Sequence, residues 1–410
     1  VQILKNKALW ITSFLIIGLC QAALAQQLAP TATPEEAKIT HWQMPAIGRG
    51  FMEIPELETA YINPQPTAHD DGIEVGKLSD YVNDTSAVIR LAKEMAEGQH
   101  GSYDSLLISQ NGKLLFESYF KRGRIDLPHP QSSAGKAYIG LTLGRAIQKG
   151  YLSMSDLDKP IVHFFDQLQP EKFVEGVETI TLRKALTMRG GLQISDEARE
   201  ALNTRTDLKG QAFVQYLFEH TAPVTPASQA FSYGNYNPSL VLHVVDALVP
   251  GSVWAFIENE LMAKMGIKNY DLSRNSASRL PDQWSITSRA MVKIGHLVRN
   301  KGVWNNEQLI PSAFISQTID RVVLTGDESI FGGGKSVSNQ GYGYFWWVTD
   351  IEFNGKHYYA TSAQGGGGMY ILRINELDLQ IVTTAHHRND ATQQVIAEHL
   401  LPVFVKATRR

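Results

Sequence analysis

Cysteine is almost absent: the 410 residues contain one, Cys20. It falls in a stretch that reads as a targeting segment, residues 1–25, in which Lys5 and Lys7 precede an apolar run from Ala8 to Leu19 and Ala23-Leu24-Ala25 offers the small residues a signal peptidase reads. The apolar run is shorter than the roughly 20 residues that a bilayer crossing needs. Cleavage before Gln26 is therefore expected, giving a periplasmic or secreted bacterial protein with no stable membrane insertion. Bulky Leu19 argues against a lipid anchor on Cys20. The mature chain would then have no cysteine, which excludes disulfides, thiol catalysis and cysteine metal sites together.

An excess of either charge is also missing. Thirty-eight Lys and Arg face 41 Asp and Glu, a net charge of -3, so there is no basic footprint for nucleic acid and no acidic solvating tail. No internal repeat or low-complexity tract interrupts the chain. With 43% hydrophobic and 19% charged residues, the composition is that of a folded globular protein with a large core. Small-molecule chemistry is the function class that remains.

Residues 26–84 are rich in proline without a sustained period and read as an extended leader wrapping the main domain, residues 85–410. Apolar residues at helical spacing from Thr85 to Glu97 predict an amphipathic helix. Two strand-like runs, from Ser105 and from Lys113, flank Asn111-Gly112, a two-residue turn suited to a tight hairpin. The C-terminal third repeats this style, with strands expected over Tyr344 to Asp350, His357 to Ser362, Met369 to Ile374 and Leu379 to Thr384, then a helix from about Asp390 to Leu401. Between the strand-rich ends lies a mostly helical stretch, about 137–300, with helices expected over Ala137 to Gly150, Leu182 to Met188, Gly210 to Glu219, Pro238 to Leu248 and Thr287 to Asn300. Strands from both ends can form one sheet only if this stretch is an insertion, which predicts an α/β fold of the α+β type: a two-layer arrangement of antiparallel sheet flanked by helices, with a groove.

Ser133-Ala134-Gly135-Lys136 is the motif that could carry chemistry. If a helix starts at or just after Ser133, a spacing of three puts the lysine about one turn from the hydroxyl on the same face. The lysine must be neutral to act as base, which requires a pocket that lowers its pKa. The same pattern recurs at Ser118-Tyr119-Phe120-Lys121, but there the alternating run Leu115-Phe116-Glu117 predicts a strand, in which positions three apart point to opposite faces. Two further motifs are decoys. Gly332-Gly-Gly-Lys335-Ser336 would need glycine at position 329, which is Ser329, to be a phosphate loop, and reads as a surface loop beside the groove. His386-His387 closes a strand with its rings pointing opposite ways and no ligand spacing, so no metal and no cofactor are expected.

The order of the blocks, a strand hairpin, Ser133-x-x-Lys136, Gly150 to Pro160, Ile180 to Leu192, and Phe231-Ser-Tyr233-Gly-Asn235, resembles serine β-lactamase-related hydrolases: class C β-lactamases, penicillin-binding proteins, and the esterase and 6-aminohexanoate-dimer hydrolase branch. The resemblance spans roughly residues 70 to 400. It implies a Ser133 nucleophile with Lys136 as base. Tyr233 would share their hydrogen-bonded network and pass a proton, and Asn235 would bind the substrate carbonyl or the lysine. The matching third motif is Ala363-Gln364-Gly365-Gly366, where Gly365 and Gly366 would line the substrate and the N–H groups of Gly366 and Ser133 would form the oxyanion hole. The same residues admit structural roles: a packed aromatic for Tyr233, turn stabilisation for Asn235, a plain turn for the glycines. Tyr342, Trp346 and Trp347 are candidates for apolar walls of the groove or for core packing.

The resemblance departs from its pattern at Ala363, where relatives carry the lysine that binds a substrate carboxylate. The expectation is thus an exported serine hydrolase of a small-molecule ester or non-lactam amide, working through a Ser133 acyl-enzyme. A β-lactamase or D-Ala-D-Ala carboxypeptidase is the nearest alternative, and a binding protein without turnover the next.

Overall fold

In the computed structural model the described residues are 28–205, 207–274, 279–326 and 330–407, so the targeting segment expected over residues 1–25 lies outside them. Nine strands form one sheet: β1 (Tyr61–Asn63), β2 (Tyr103–Gln110), β3 (Lys113–Tyr119), β4 (Val323–Leu324), β5 (Val337–Tyr342), β6 (Trp347–Phe353), β7 (Lys356–Gly365), β8 (Met369–Ile374) and β9 (Leu379–Ala385). Their spatial order is β1-β3-β2-β9-β8-β7-β6-β5-β4, every neighbouring pair antiparallel. Strands β2 and β9 join the two ends of the chain, Leu107 opposite Val382. Among the described residues no strand of this sheet comes from between Tyr119 and Val323.

The hairpin turn forms as expected, with Asn111 at φ 52° and Gly112 at φ 78°, the pair of positive angles that matches the twist of the flanking strands. The chain makes the same turn at Asn354 and Gly355, φ 53° and 70°. The expected strand from Tyr344 begins only at Trp347, because Phe345 sits at φ 60°, outside the strand region. The six residues Val337–Tyr342, not anticipated as a strand, pair with β6 instead.

Alternation along the central strands builds a core on each face of the sheet. Leu107, Ile371 and Val382 join the core shared with α2 (Gly135–Gln148), α3 (Leu182–Leu186), α4 (Gln211–His220), α5 (Tyr236–Leu248) and α6 (Ser288–Arg299). Leu106, Ile108 and Ile381 face the other way, onto α1 (Thr85–Ala96) and a C-terminal helix in three segments, Thr392–Val395, Ile396–Leu400 and Leu401–Ala407. The Gly332–Ser336 loop packs on the start of that C-terminal helix, Gly332 accepting hydrogen bonds from the backbone of Gln393 and Gln394, and not beside the groove as expected.

The leader is more structured than an extended wrap. It contributes β1 to the sheet edge and four short 3-10 turns. Asp71 also reaches a buried ionic group. The Arg289 guanidinium donates to both carboxylate oxygens of Glu117 at 3.0 Å and, through Nε, to Asp71 at 2.7 Å, tying α6 to β3 and the leader. Glu117 and Arg289 are both buried. Glu117→Ala would strand the guanidinium without its main counter-charge. It is expected to lower folding stability by about 3–5 kcal/mol, read as the urea midpoint at unchanged slope. A loss within the scatter of surface substitutions would refute the role given to this group.

Candidate active site

Ser133 lies in a 3-10 turn, Ser132–Ala134, that runs directly into α2. The turn is pinned from three sides. Gln131 donates its backbone N–H to the Trp284 carbonyl at 2.9 Å, and its side chain accepts from the Tyr138 hydroxyl at 2.7 Å and donates to the His129 carbonyl at 2.9 Å. Behind it, His129 and His386 both contact Oδ2 of buried Asp104, at 3.1 and 2.8 Å. Burial opposes the charge on Asp104, yet those two imidazoles hold its pKa down at about 2. His387 turns the opposite way and accepts from the Ser102 N–H at 2.7 Å. Ser132 sits at φ 47°, a left-handed conformation uncommon for serine, beside the candidate nucleophile.

The helical spacing places Lys136 as the sequence implies: Nζ donates to Ser133 Oγ at 3.0 Å. Burial lowers the Lys136 pKa from the ordinary lysine range to about 8, against the opposing pull of the Asp282 carboxylate. Tyr233, from the loop before α5, meets both residues. Its hydroxyl interacts with the Ser133 side chain, and its ring lies 5.0 Å from the Lys136 ammonium. Burial raises its pKa above the usual phenol range, and the Ser133 contact partly offsets this. The outer part of the ring reaches solvent, leaving the side chain 40% exposed. Serine, lysine and tyrosine thus converge from two distant stretches of chain.

Asn235 stands at the N-terminal cap of α5 without capping it through its side chain, and it lines the same cleft as Ser133 and Lys136. The cleft has a volume of about 540 Å³. Gly365 ends β7 hard against the nucleophile turn: a methyl group there would lie 2.2 Å from the Gln131 carbonyl oxygen and 3.2 Å from the Ala134 amide nitrogen. The next residue, Gly366, has open space on its side-chain face. Ala363, two residues earlier, is buried in the core on the nucleophile's side of the sheet.

The three aromatics considered as walls do not line the cleft. Trp346 is fully buried and Tyr342 nearly so. Tyr342 meets Tyr233 edge-on and Trp347 packs tilted against it, ring centroids 6.1 and 5.2 Å away, so both help to hold the tyrosine in place. Ser118 lies in β3 and donates to the Leu106 carbonyl at 2.8 Å, a structural bond. Sequence reasoning missed Asp282, Trp284 and the leader residues His41, Trp42, Gln43 and Pro45, all of which line the cleft. No local pattern announces Asp282. A lone tryptophan in a proline-rich leader was the one available hint of the other wall.

A family model described as Beta-lactamase matches residues 88–401. No curated protein matches the sequence. Three similar solved structures show the same fold. One is a proposed 6-aminohexanoate-dimer hydrolase from Bacillus anthracis (TM-score 0.58, 16% identity, 85% of this chain and 92% of that one). Another is a family VIII carboxylesterase (TM-score 0.60, 13% identity, 84% and 100%). The third is a penicillin-binding protein homologue from Caulobacter crescentus (TM-score 0.57, 14% identity, 78% and 97%).

Asp282→Asn removes the negative charge that favours the ammonium form, so the Lys136 pKa is expected to fall below about 8. NMR titration of labelled lysine side chains reads this directly. An unchanged or raised value would overturn the electrostatic account.

Proposed function

The chain belongs to the Beta-lactamase family of serine hydrolases, and on that footing we propose that it is an exported enzyme cleaving an ester or a non-lactam amide through an acyl-enzyme on Ser133. The observation that carries the proposal is the 3.0 Å bond between Ser133 Oγ and a lysine whose pKa is brought to about 8. A nucleophile needs a base that is partly neutral at working pH, and an exposed lysine would not be.

In this reading neutral Lys136 takes the Ser133 proton as Oγ attacks the carbonyl carbon. The developing oxyanion rests on the backbone N–H groups of Ser133 and Gly366. The proton held by Lys136 passes through the Tyr233 hydroxyl to the leaving alcohol or amine as its bond to the carbonyl carbon breaks, which returns lysine and tyrosine to their neutral forms, and Asn235 and the Gly365-Gly366 strand end hold the substrate. Water then attacks the acyl-enzyme by the reverse path and restores Ser133. A protein that only binds ligands has no need of a desolvated lysine beside a hydroxyl.

Two features favour neutral substrates over β-lactams, which carry a carboxylate. Ala363 offers no cation where relatives place a lysine, and Asp282 adds negative charge to the cleft wall. The names of two similar structures, a carboxylesterase and a 6-aminohexanoate-dimer hydrolase, accord with this choice.

A fluorophosphonate probe is expected to label the mature protein at Ser133 and to leave Ser133→Ala unlabelled. Labelling that persists in the variant would reject the nucleophile. Turnover of p-nitrophenyl esters is expected to exceed that of a chromogenic cephalosporin, and the opposite order would favour the lactamase alternative. Because the neutral amine is the active form, kcat/KM should climb about tenfold per pH unit on the acid side and level off above the Lys136 pKa of about 8. Lys136→Ala should cost about 10²–10⁴-fold in kcat and abolish that limb. A pH profile that survives the substitution would assign the base elsewhere.

A further inference from the structure

The leader meets the nucleophile turn. Trp42 Nε1 donates to Ser132 Oγ at 3.1 Å, one residue from Ser133. His41, Trp42, Gln43 and Pro45 form one side of the cleft whose other sides carry Ser133, Lys136, Asn235 and Asp282. These residues are held as a closed loop. The Phe51 N–H donates to the His41 carbonyl at 3.0 Å and the Met44 N–H to the Arg49 carbonyl at 2.8 Å, while Gly50 passes so close to the Trp42 carbonyl that any side chain would collide with it.

Both faces of the loop are anchored to the main domain. His41 pairs with Asp271 at 3.0 Å, and Ser285 donates to the Thr40 carbonyl. The Trp42 ring packs edge-on against Phe51 and His129, ring centroids 5.5 Å away in each case. His129 is the residue that Asp104 fixes behind the nucleophile turn. The loop is therefore positioned by the same framework as Ser133. It lies outside the family-matched residues 88–401.

We propose that this leader loop is the substrate-selecting wall of the active site, with Trp42 and Pro45 receiving an uncharged apolar substituent of the ester or amide next to its scissile carbonyl. Three observations point to that chemistry. Trp42 and Pro45 line the same cleft as Pro130, Ile139 and Pro238, so several apolar side chains share the space beside Ser133. The one acid among the cleft-lining residues, Asp282, disfavours an anionic substituent. The loop also carries Ile47, an apolar side chain 46% exposed. This inference rests on the hydrolysis proposed at Ser133.

The test compares wild type, Trp42→Ala and Trp42→Phe on two ester series: p-nitrophenyl acetate against hexanoate, and methyl acetate against hexyl acetate. Trp42→Ala is expected to lose at least about tenfold more kcat/KM on the long member of one series than on its short member, mainly through KM. Trp42→Phe, which keeps an aromatic ring but not the N–H, should retain most of that chain-length selectivity. The series that responds tells whether the wall receives the acyl or the alcohol side. Equal losses on short and long substrates in both series would overturn the proposal and leave Trp42 as support for the turn.

A second measurement needs no turnover. In Ser133→Ala, hexanamide should shift the indole N–H resonance that disappears in Trp42→Phe, and acetamide at equal concentration should shift it far less. If the wild type hydrolyses nothing yet this shift appears, the wall stands and the enzymatic reading fails. If esters are hydrolysed and neither the shift nor the selectivity appears, the wall fails alone.

Discussion

At Gly365 the sheet and the nucleophile turn approach so closely that a single added carbon would overlap the Gln131 carbonyl. Here the two layers meet through backbone, with no side chain between them. Because β7 ends at this contact, the residue after it, Gly366, leaves the strand with its own side-chain face open. A glycine at position 365 is therefore a geometric condition for this contact and not a matter of chain flexibility. The strand's backbone reaches the Ser133 turn only where the side chain has been removed.

The electrostatics follow from that closeness. Packing the turn between the sheet, Trp284 and the Tyr233 loop withdraws Lys136 from water, and withdrawal lowers its proton affinity. Asp282 works in the other direction, so the lysine's pKa is a balance between a dry pocket and one carboxylate. Asp104 provides the complementary anchor. Fully buried and charged, it grips His129 on one side and His386 on the other, and so fixes the stretch preceding Ser133 relative to the end of β9. The aromatic group of Tyr342, Trp347 and Tyr233 fixes the remaining member from a third direction.

Much of this was legible in the sequence, for identifiable reasons. The Asn111-Gly112 hairpin, α2 and the Ser133-Lys136 pair depend on local rules of turn geometry and helical period, and these survive folding. Tyr233 and Asn235 have no local signature and were found only through the order of motifs that the chain shares with related hydrolases. The aromatic run at residues 342–347 misled, because a positive φ at Phe345 breaks what composition reads as one strand into the end of β5 and the start of β6. Asp282 and the leader loop were invisible for a different reason. Their place at the cleft depends on hydrogen bonds between residues more than 200 positions apart, such as Ser285 with Thr40, and no periodicity encodes such a partner.

Strands β2 and β9 pair across some 270 residues, with Leu107 opposite Val382. The segment that carries Ser133 and Lys136 is synthesised well before Gly365 and the strand that places it. Loop-closure entropy makes such pairings late events in folding. A growing polypeptide that has already produced Ser133 and Lys136 thus still lacks the strand end against which their turn packs. Close packing of that turn waits for β7 and the strands beside it, so a partially made chain holds the serine and lysine in a turn with one side still uncovered.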